Sequence, residues 1–203
     1  MPEASRDTGR STGRPARLSR AVIVRTAIEL ADRGGLEAVT MRAVAVELGS
    51  VAAALYRHVK NREQLVDFVR DAVLAERTEV SPTGDRRADL RAFALGLLTV
   101  HEAHPWLSTG GLPTSLGPRS LATLDEAMAL VANHPAGTGQ KHSAVAVLFE
   151  LIAGFARSGV ATRSLTAEAL PNESALSQTA GRDHAIAVIL AAVTGVLDAE
   201  GLD

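Results

Sequence analysis

Between Thr40 and Leu65 the chain reads TMRAVAVELGSVAAALYRHVKNREQL, which concentrates side chains able to hold a polyanion. Arg42 carries a planar fork of donors that matches guanine O6 and N7, the commonest specific contact in a major groove. Tyr56 and His58 can donate to phosphate oxygens. Lys60 and Arg62 bracket Asn61 at the start of a further helix, where the backbone dipole favours an anion. Contacts of this second kind position a duplex without reading it. A separate group, His101 and His104 with Glu102 between them, has the residue types of a metal pair. Its spacing is not the HExxH of zinc peptidases. One of these histidines is therefore expected to line a cavity or bond within it, and the other to be exposed near a helix end beside Pro105. No metal site and no cofactor are expected.

Other chemistries lack their parts. Cysteine is absent, which excludes a disulfide framework, a thiolate zinc site and a cysteine nucleophile, and suits a reducing compartment. The sequence holds no Gly-rich phosphate loop, no GxSxG nucleophile elbow and no acid and base pair, so no catalytic residues are assigned and no enzyme is expected.

The elements that must position Arg42, Tyr56 and their neighbours are short helices. Ser19 is a plausible N-cap, after which Ile23, Ala27, Leu30 and Ala31 recur at helical spacing until Gly34 and Gly35 supply a stop. Thr40 caps a second helix carrying Met41, Val44, Ala45 and Leu48 on one face, with Gly49 at the left-handed C′ position. A third helix follows almost at once. Asn61 with Gln64 three residues later resembles a capping box for a fourth, marked by Leu65, Phe68, Val69, Ala72 and Val73 and expected to run to about Val80. Two helices joined by a tight Gly turn form a helix-turn-helix, whose second helix enters a major groove. Ala45 is small at the crossing and Leu48 and Leu55 fill it, while Val51 is expected to wedge the turn from inside. Ala52, Ala53, Tyr56 and Arg57 are left on the outer face of a helix that carries only small side chains in its N-terminal half.

The segment from about Ser19 to Ala75 resembles the DNA-binding domain of the tetracycline-repressor (TetR) family. Thr40, Arg42, Leu48, Gly49, Leu55, Tyr56, His58, Val59, Lys60, Asn61 and Leu65 carry the resemblance, and the run LYRHVKN is its most specific part. The resemblance implies an all-α protein. Its N-terminal three-helix DNA-binding head with the helix-turn-helix would be joined by a fourth helix to a helical bundle that binds ligand and dimerises. In the family the last two long helices, here about 140 to 164 and 182 to 199, usually form a four-helix bundle with their mates, so a homodimer is implied. One departure stands out: family members often follow the turn Gly with Val and then Ser, Thr or an acidic residue, whereas this chain has Ser50 and then Val51. Ser50 becomes the candidate for that cap or phosphate contact. The DNA-contacting set expected is Thr40, Arg42, Ser50, Ala52, Ala53, Tyr56, Arg57, His58, Lys60 and Arg62.

The rest of the chain divides around this unit. Residues 1–18 are nearly devoid of apolar content and read as a flexible Arg-rich arm. Arg6, Arg10, Arg14 and Arg17 either stay solvated or enter a minor groove. Residues 19–80 form the DNA-binding domain with its connecting helix, and the turn-rich SPTGD run at 81–85 opens a ligand-binding and dimerisation domain over 81–203. Its helical stretches fall at roughly 86–104, 117–133, 140–164 and 182–199. With 3 % aromatic residues, the core must be filled by Ala, Leu, Val and Ile. The net charge of −2 conceals an asymmetry, since residues 1–62 hold eleven Arg or Lys against six Asp or Glu. The longest apolar stretch, Ala185–Leu197, is 13 residues, short of the roughly 20 that span a bilayer. The polar, Arg-rich N-terminus has no secretory signal pattern, so no membrane partner and a cytoplasmic location are expected.

Trp106 is the only tryptophan, and core packing and cavity lining are both open to it. Leu97, His101, Met128, Phe149 and Ile152 join it, by helical position, as the expected ligand-binding set. Glu150 interrupts the apolar run VAVLFELIAGFA and needs a partner, either a ligand or a second subunit. Ala153, Gly154 and Ala156 give that helix a small-residue face, which favours the subunit. The expected function is a sequence-specific DNA-binding transcriptional regulator, a repressor released from double-stranded operator DNA by a small, hydrophobic effector. The alternatives are an activator, or a helical carrier or enzyme that uses the C-terminal cavity.

Overall fold

A computed structural model describes residues 18–109, 113–169 and 175–199, with no side-chain detail over 160–180. The Arg-rich arm lies outside the described residues. Every element among them is helical: α1 (Arg20–Ala38), α2 (Met41–Glu47), α3 (Ala52–Leu55), α4 (Arg62–Val73), a 3-10 turn (Leu74–Glu76), α5 (Arg86–Ala103), α6 (Trp106–Thr109), α7 (Pro118–Val131), α8 (Thr138–Ala169) and α9 (Ala175–Asp198). The all-α expectation holds.

Local chemistry sets the starts and stops of the first four helices. Val22 N–H donates to Ser19 Oγ at 3.3 Å, Ala43 N–H to Thr40 Oγ1 at 3.0 Å, and Gln64 N–H to Asn61 Oδ1 at 2.9 Å. The return bond of the Asn61 cap runs from Lys60 N–H to Gln64 Oε1 at 2.8 Å. Each cap satisfies a helix-end amide otherwise left without an acceptor. Gly34 and Gly35 leave helical backbone angles and kink α1, so the stop expected there is a kink followed by one more turn to Ala38.

The connecting helix is shorter than expected: α4 ends at Val73, and Arg77 is extended (φ −86°, ψ 154°), instead of helix continuing to Val80. The cause is Glu126 of α7. Its carboxylate takes the Arg77 guanidinium on both oxygens and also Val80 N–H at 2.7 Å, drawing the chain out of the helix. The four-residue α6, directly after Pro105, is an element the periodicity does not reveal.

Two apolar clusters form. One lies among α5, α7, α8 and α9, with Leu90, Phe93, Leu97, Val131, Leu148, Ile152, Ile189 and Val193 all buried. The other fills the head through Ile23, Ala27, Val44, Leu55, Leu65 and Val69, and takes in Val100 and Trp106 from beyond the 81–85 linker. Polar pairs tie the two together. Asp67 of α4 accepts from Thr114 N–H at 3.1 Å and Ser115 N–H at 3.0 Å, and Asp71 accepts from Ser120 N–H at 2.8 Å and Ser120 Oγ at 2.9 Å. Among the described residues no helix is long and apolar enough to cross a membrane.

Candidate nucleic-acid interface

The hairpin of α2 and α3 is held by a Schellman turn. Gly49 N–H donates to Val46 O at 3.0 Å and Ser50 N–H to Ala45 O at 2.8 Å, which requires the left-handed angle of Gly49 (φ 56°). Ala45 and Leu55 are buried at the crossing, as small and large partners should be, and Leu48 is half-buried. The backbone of Ser50 thus belongs to the turn. The N-cap position of α3 is Val51, with no side-chain capping bond, so Ser50 does not supply that cap.

Val51 departs from its expected role. It is 67 % exposed and does not wedge the turn from inside. The Schellman bonds and the crossing of Leu48 and Leu55 already close the hairpin, and the extended backbone of Val51 (φ −111°, ψ 144°) leaves its side chain in solvent. Thr40, Arg42, Ala53, Tyr56, Arg57 and Lys60 are exposed, and Ala52 and His58 are half-buried. Exposed cations therefore flank a short helix that begins Ala52, Ala53, Ala54.

Arg62 is committed elsewhere. Its Nε donates to Val39 O at 2.7 Å and its Nη2 to Leu36 O at 2.6 Å, bonds that tie α4 to the end of α1. The guanidinium expected at a phosphate therefore serves the head itself, as a second donor to Leu36 O, which also accepts from Val39 N–H at 3.1 Å. Arg20 is also used structurally, its guanidinium lying 4.9 Å from the Phe68 ring centroid and its Nε 3.4 Å from His58 O.

Four of the six expected ligand-binding residues share the body core, and His101 and Trp106 lie outside it. Leu97 and Ile152 are buried in the body core, where Met128 and Phe149 pack against it, the Phe149 ring meeting Phe93 edge-on at 6.0 Å. His101 has its Nδ1 2.6 Å from Ser108 Oγ, and Arg157 donates to Ser108 O at 3.1 Å. Burial, and then the Arg157 charge, push the His101 pKa down to about 4, so its ring is neutral. Of the two alternatives for Trp106 the structure has core packing: it is 3 % exposed within the head's apolar cluster, away from the other five, and its Nε1 donates to Asp32 Oδ1 at 2.7 Å. Two surface grooves, one along the outer face of α5 against residues 76–80 and one between Gly35–Glu37 and α4, are lined by none of the six.

The junction of head and body holds what the sequence did not disclose. Contrary to the exposure expected beside Pro105, His104 is only 6 % exposed, because two carboxylates hold it: its Nδ1 is 2.7 Å from Asp32 Oδ1 and its Nε2 3.0 Å from Glu76 Oε2. Burial alone would lower its pKa, but the hydrogen bonds to Asp32 and Glu76 outweigh it and hold the pKa above the ordinary value. Among the described residues no cluster of three or more metal-binding side chains occurs.

A capped helical hairpin with exposed cations, joined by a polar junction to further helices, defines a helix-turn-helix protein with a helical body. Residues 23–69 match the model of the bacterial regulatory proteins, tetR family. The HTH-type transcriptional repressor DrrR1 of Streptomyces coeruleorubidus is 32 % identical over 157 residues, 75 % of this chain and 58 % of that protein. An HTH-type transcriptional regulator of Saccharopolyspora erythraea is 34 % identical over 150 residues, 73 % of this chain and 60 % of that one. These matches thus take in about three fifths of the relatives' lengths. The crystal structure of Streptomyces coelicolor ActR in complex with (S)-DNPA shares the fold at a TM-score of 0.71 and 24 % identity, covering 90 % of this chain and 98 % of that one. The likeness to the tetR family is thus one of sequence over residues 23–69 and one of fold over most of the chain.

Proposed function

We propose that this protein is a homodimeric transcriptional repressor that binds double-stranded operator DNA through α2 and α3 and leaves it when a small hydrophobic effector binds the body. The observation that carries the reading is the bare N-terminal half of α3 beside exposed Arg42, Arg57 and Lys60. Small side chains let a helix approach base edges closely, and the cations meet the phosphates on either side. In the proposed contact set Arg42 reads a guanine, Thr40, Tyr56, Arg57, His58 and Lys60 bind phosphate, and Ala52 and Ala53 give close approach. Arg62 holds the head in shape.

Dimerisation is supported by α8 and α9, which pack along each other and carry Glu150 on an exposed side near half-buried Ala153 and Gly154. A symmetric pair would grip two half-sites in successive major grooves, giving a roughly palindromic operator. Effector binding is placed in the body among Leu97, Met128, Phe149 and Ile152, with neutral His101 as its polar group. That DrrR1 is a repressor and that ActR forms a complex with (S)-DNPA are in keeping with this reading. A regulator without enzymatic activity, located in the cytoplasm, completes it.

The test is selection of bound duplexes from a random pool at moderate salt, with sedimentation to give the oligomeric state and a thermal-shift screen for effectors that also release DNA. A palindromic consensus, a dimer and a hit that dissociates the complex are expected. Absence of any enriched sequence, or a stable monomer, overturns the proposal.

A further inference from the structure

We infer that Val51 is a specificity-determining residue that reads thymine through its C5-methyl group, an inference that rests on the duplex-binding reading above. Val46 and Val51, 71 % and 67 % exposed, are the two most exposed large apolar side chains among the described residues, and both lie in the α2–α3 hairpin. Neither is held there by the hairpin's own packing, which Ala45 and Leu55 complete from the inside. Their positions differ in consequence. Val46 lies near the end of the first helix of the motif, which crosses the phosphate backbone, whereas Val51 is at the N-cap position of the second, whose first residues meet base edges.

The chemistry then leaves one partner. An isopropyl group neither donates nor accepts a hydrogen bond, so it cannot tell bases apart by the donor and acceptor code. Thymine alone presents a hydrocarbon group on the major-groove edge. Exposed Arg42, Arg57 and Lys60 on the same small unit supply the charge complement that brings a polyanion to the patch, which a purely apolar protein partner would not require. The Val51 carbonyl does not compete for this role, since it accepts from Ala54 N–H at 2.9 Å inside the chain. The side chain is what faces outward, and its exposed area is recovered against the methyl.

The experiment uses the full chain and the duplex selected by it from a random pool. Each thymine of the consensus is replaced singly by deoxyuridine, which removes only the C5-methyl. Wild-type protein is expected to lose about fourfold in affinity at one thymine of each half-site, the effect of burying roughly one methyl-sized group. Val51→Ala should bind the thymine and uracil duplexes alike, while Val46→Ala, equally exposed, keeps the fourfold difference. Affinity unchanged at every thymine, or a full methyl effect retained by Val51→Ala, overturns the inference while leaving duplex recognition intact. A pool that yields no consensus overturns duplex recognition itself, and the inference with it.

Discussion

His104 Nδ1 lies 2.7 Å from Asp32 Oδ1, joining the end of α5 to α1 across 72 residues of sequence, and its Nε2 is 3.0 Å from Glu76 Oε2. A neutral imidazole has one N–H to donate, so carboxylates at both nitrogens favour the doubly protonated ring. The folded pKa is raised above the unfolded value near 6.5, so the stabilisation is fully present below about pH 6.5 and is lost as pH rises through the folded pKa. Thermal unfolding followed from pH 5.5 to 9 should show a melting temperature that declines above about pH 6.5. His104→Asn should flatten that decline, and an unchanged slope would remove His104 as its source.

Arg77 and Glu126 form an ion pair with side chains only 5 % and 6 % exposed. Breaking such a pair leaves a buried charge without a partner, at a cost of about 3 to 5 kcal/mol. Glu126→Leu is expected to fall in that range in denaturant titrations. Arg77→Met with Glu126→Leu should recover most of the loss, and a double variant no better than the single one would refute the account.

Gly117 precedes α7 where a Cβ would stand 2.3 Å from Asp71 Cγ. Gly117→Ala therefore has to displace the carboxylate from Ser120, at a cost of about 1 to 3 kcal/mol. In an Asp71→Ala background the same substitution should cost little. Equal effects in both backgrounds, read from a double-mutant cycle, would show that the clash is not with Asp71.

Arg42 and Lys60 are expected to differ in what they lose. Arg42→Ala should weaken operator binding by about 1 to 3 kcal/mol and relax preference at one base position, whereas Lys60→Gln should weaken all duplexes alike and reduce the salt slope by about one. Fluorescence anisotropy on operator and random duplexes across a salt series separates the two. Equal losses on both kinds of duplex for Arg42→Ala would contradict base readout.

What could be read from the residues follows range along the chain. Ser19, Thr40, Asn61 and Gly49 announce their turns because cap and amide lie within a few residues of one another, and the α2–α3 hairpin follows from them. Val51 was misread because its packing depends on whether other groups have already closed the turn. Trp106 was left open between core and cavity for a stronger reason: its partner Asp32 is 74 residues away and nothing local points to it. Asp67 and Asp71 fall on the face of α4 opposite apolar Leu65, Val69 and Val73, where helical spacing gives no mark of the burial that both have. Their donors at Thr114, Ser115 and Ser120 carry no mark either. Arg62 was legible as a cation beside a helix start, but its use by Val39 and Leu36 is a tertiary fact.

The lone indole of this molecule is seated at the seam between its two parts, with its N–H on a carboxylate of the first helix. Selective excitation of that indole therefore interrogates the seam alone, and its emission responds to whatever alters the packing around Asp32 in unlabelled protein. Titrations with duplex or with small molecules acquire a built-in optical gauge.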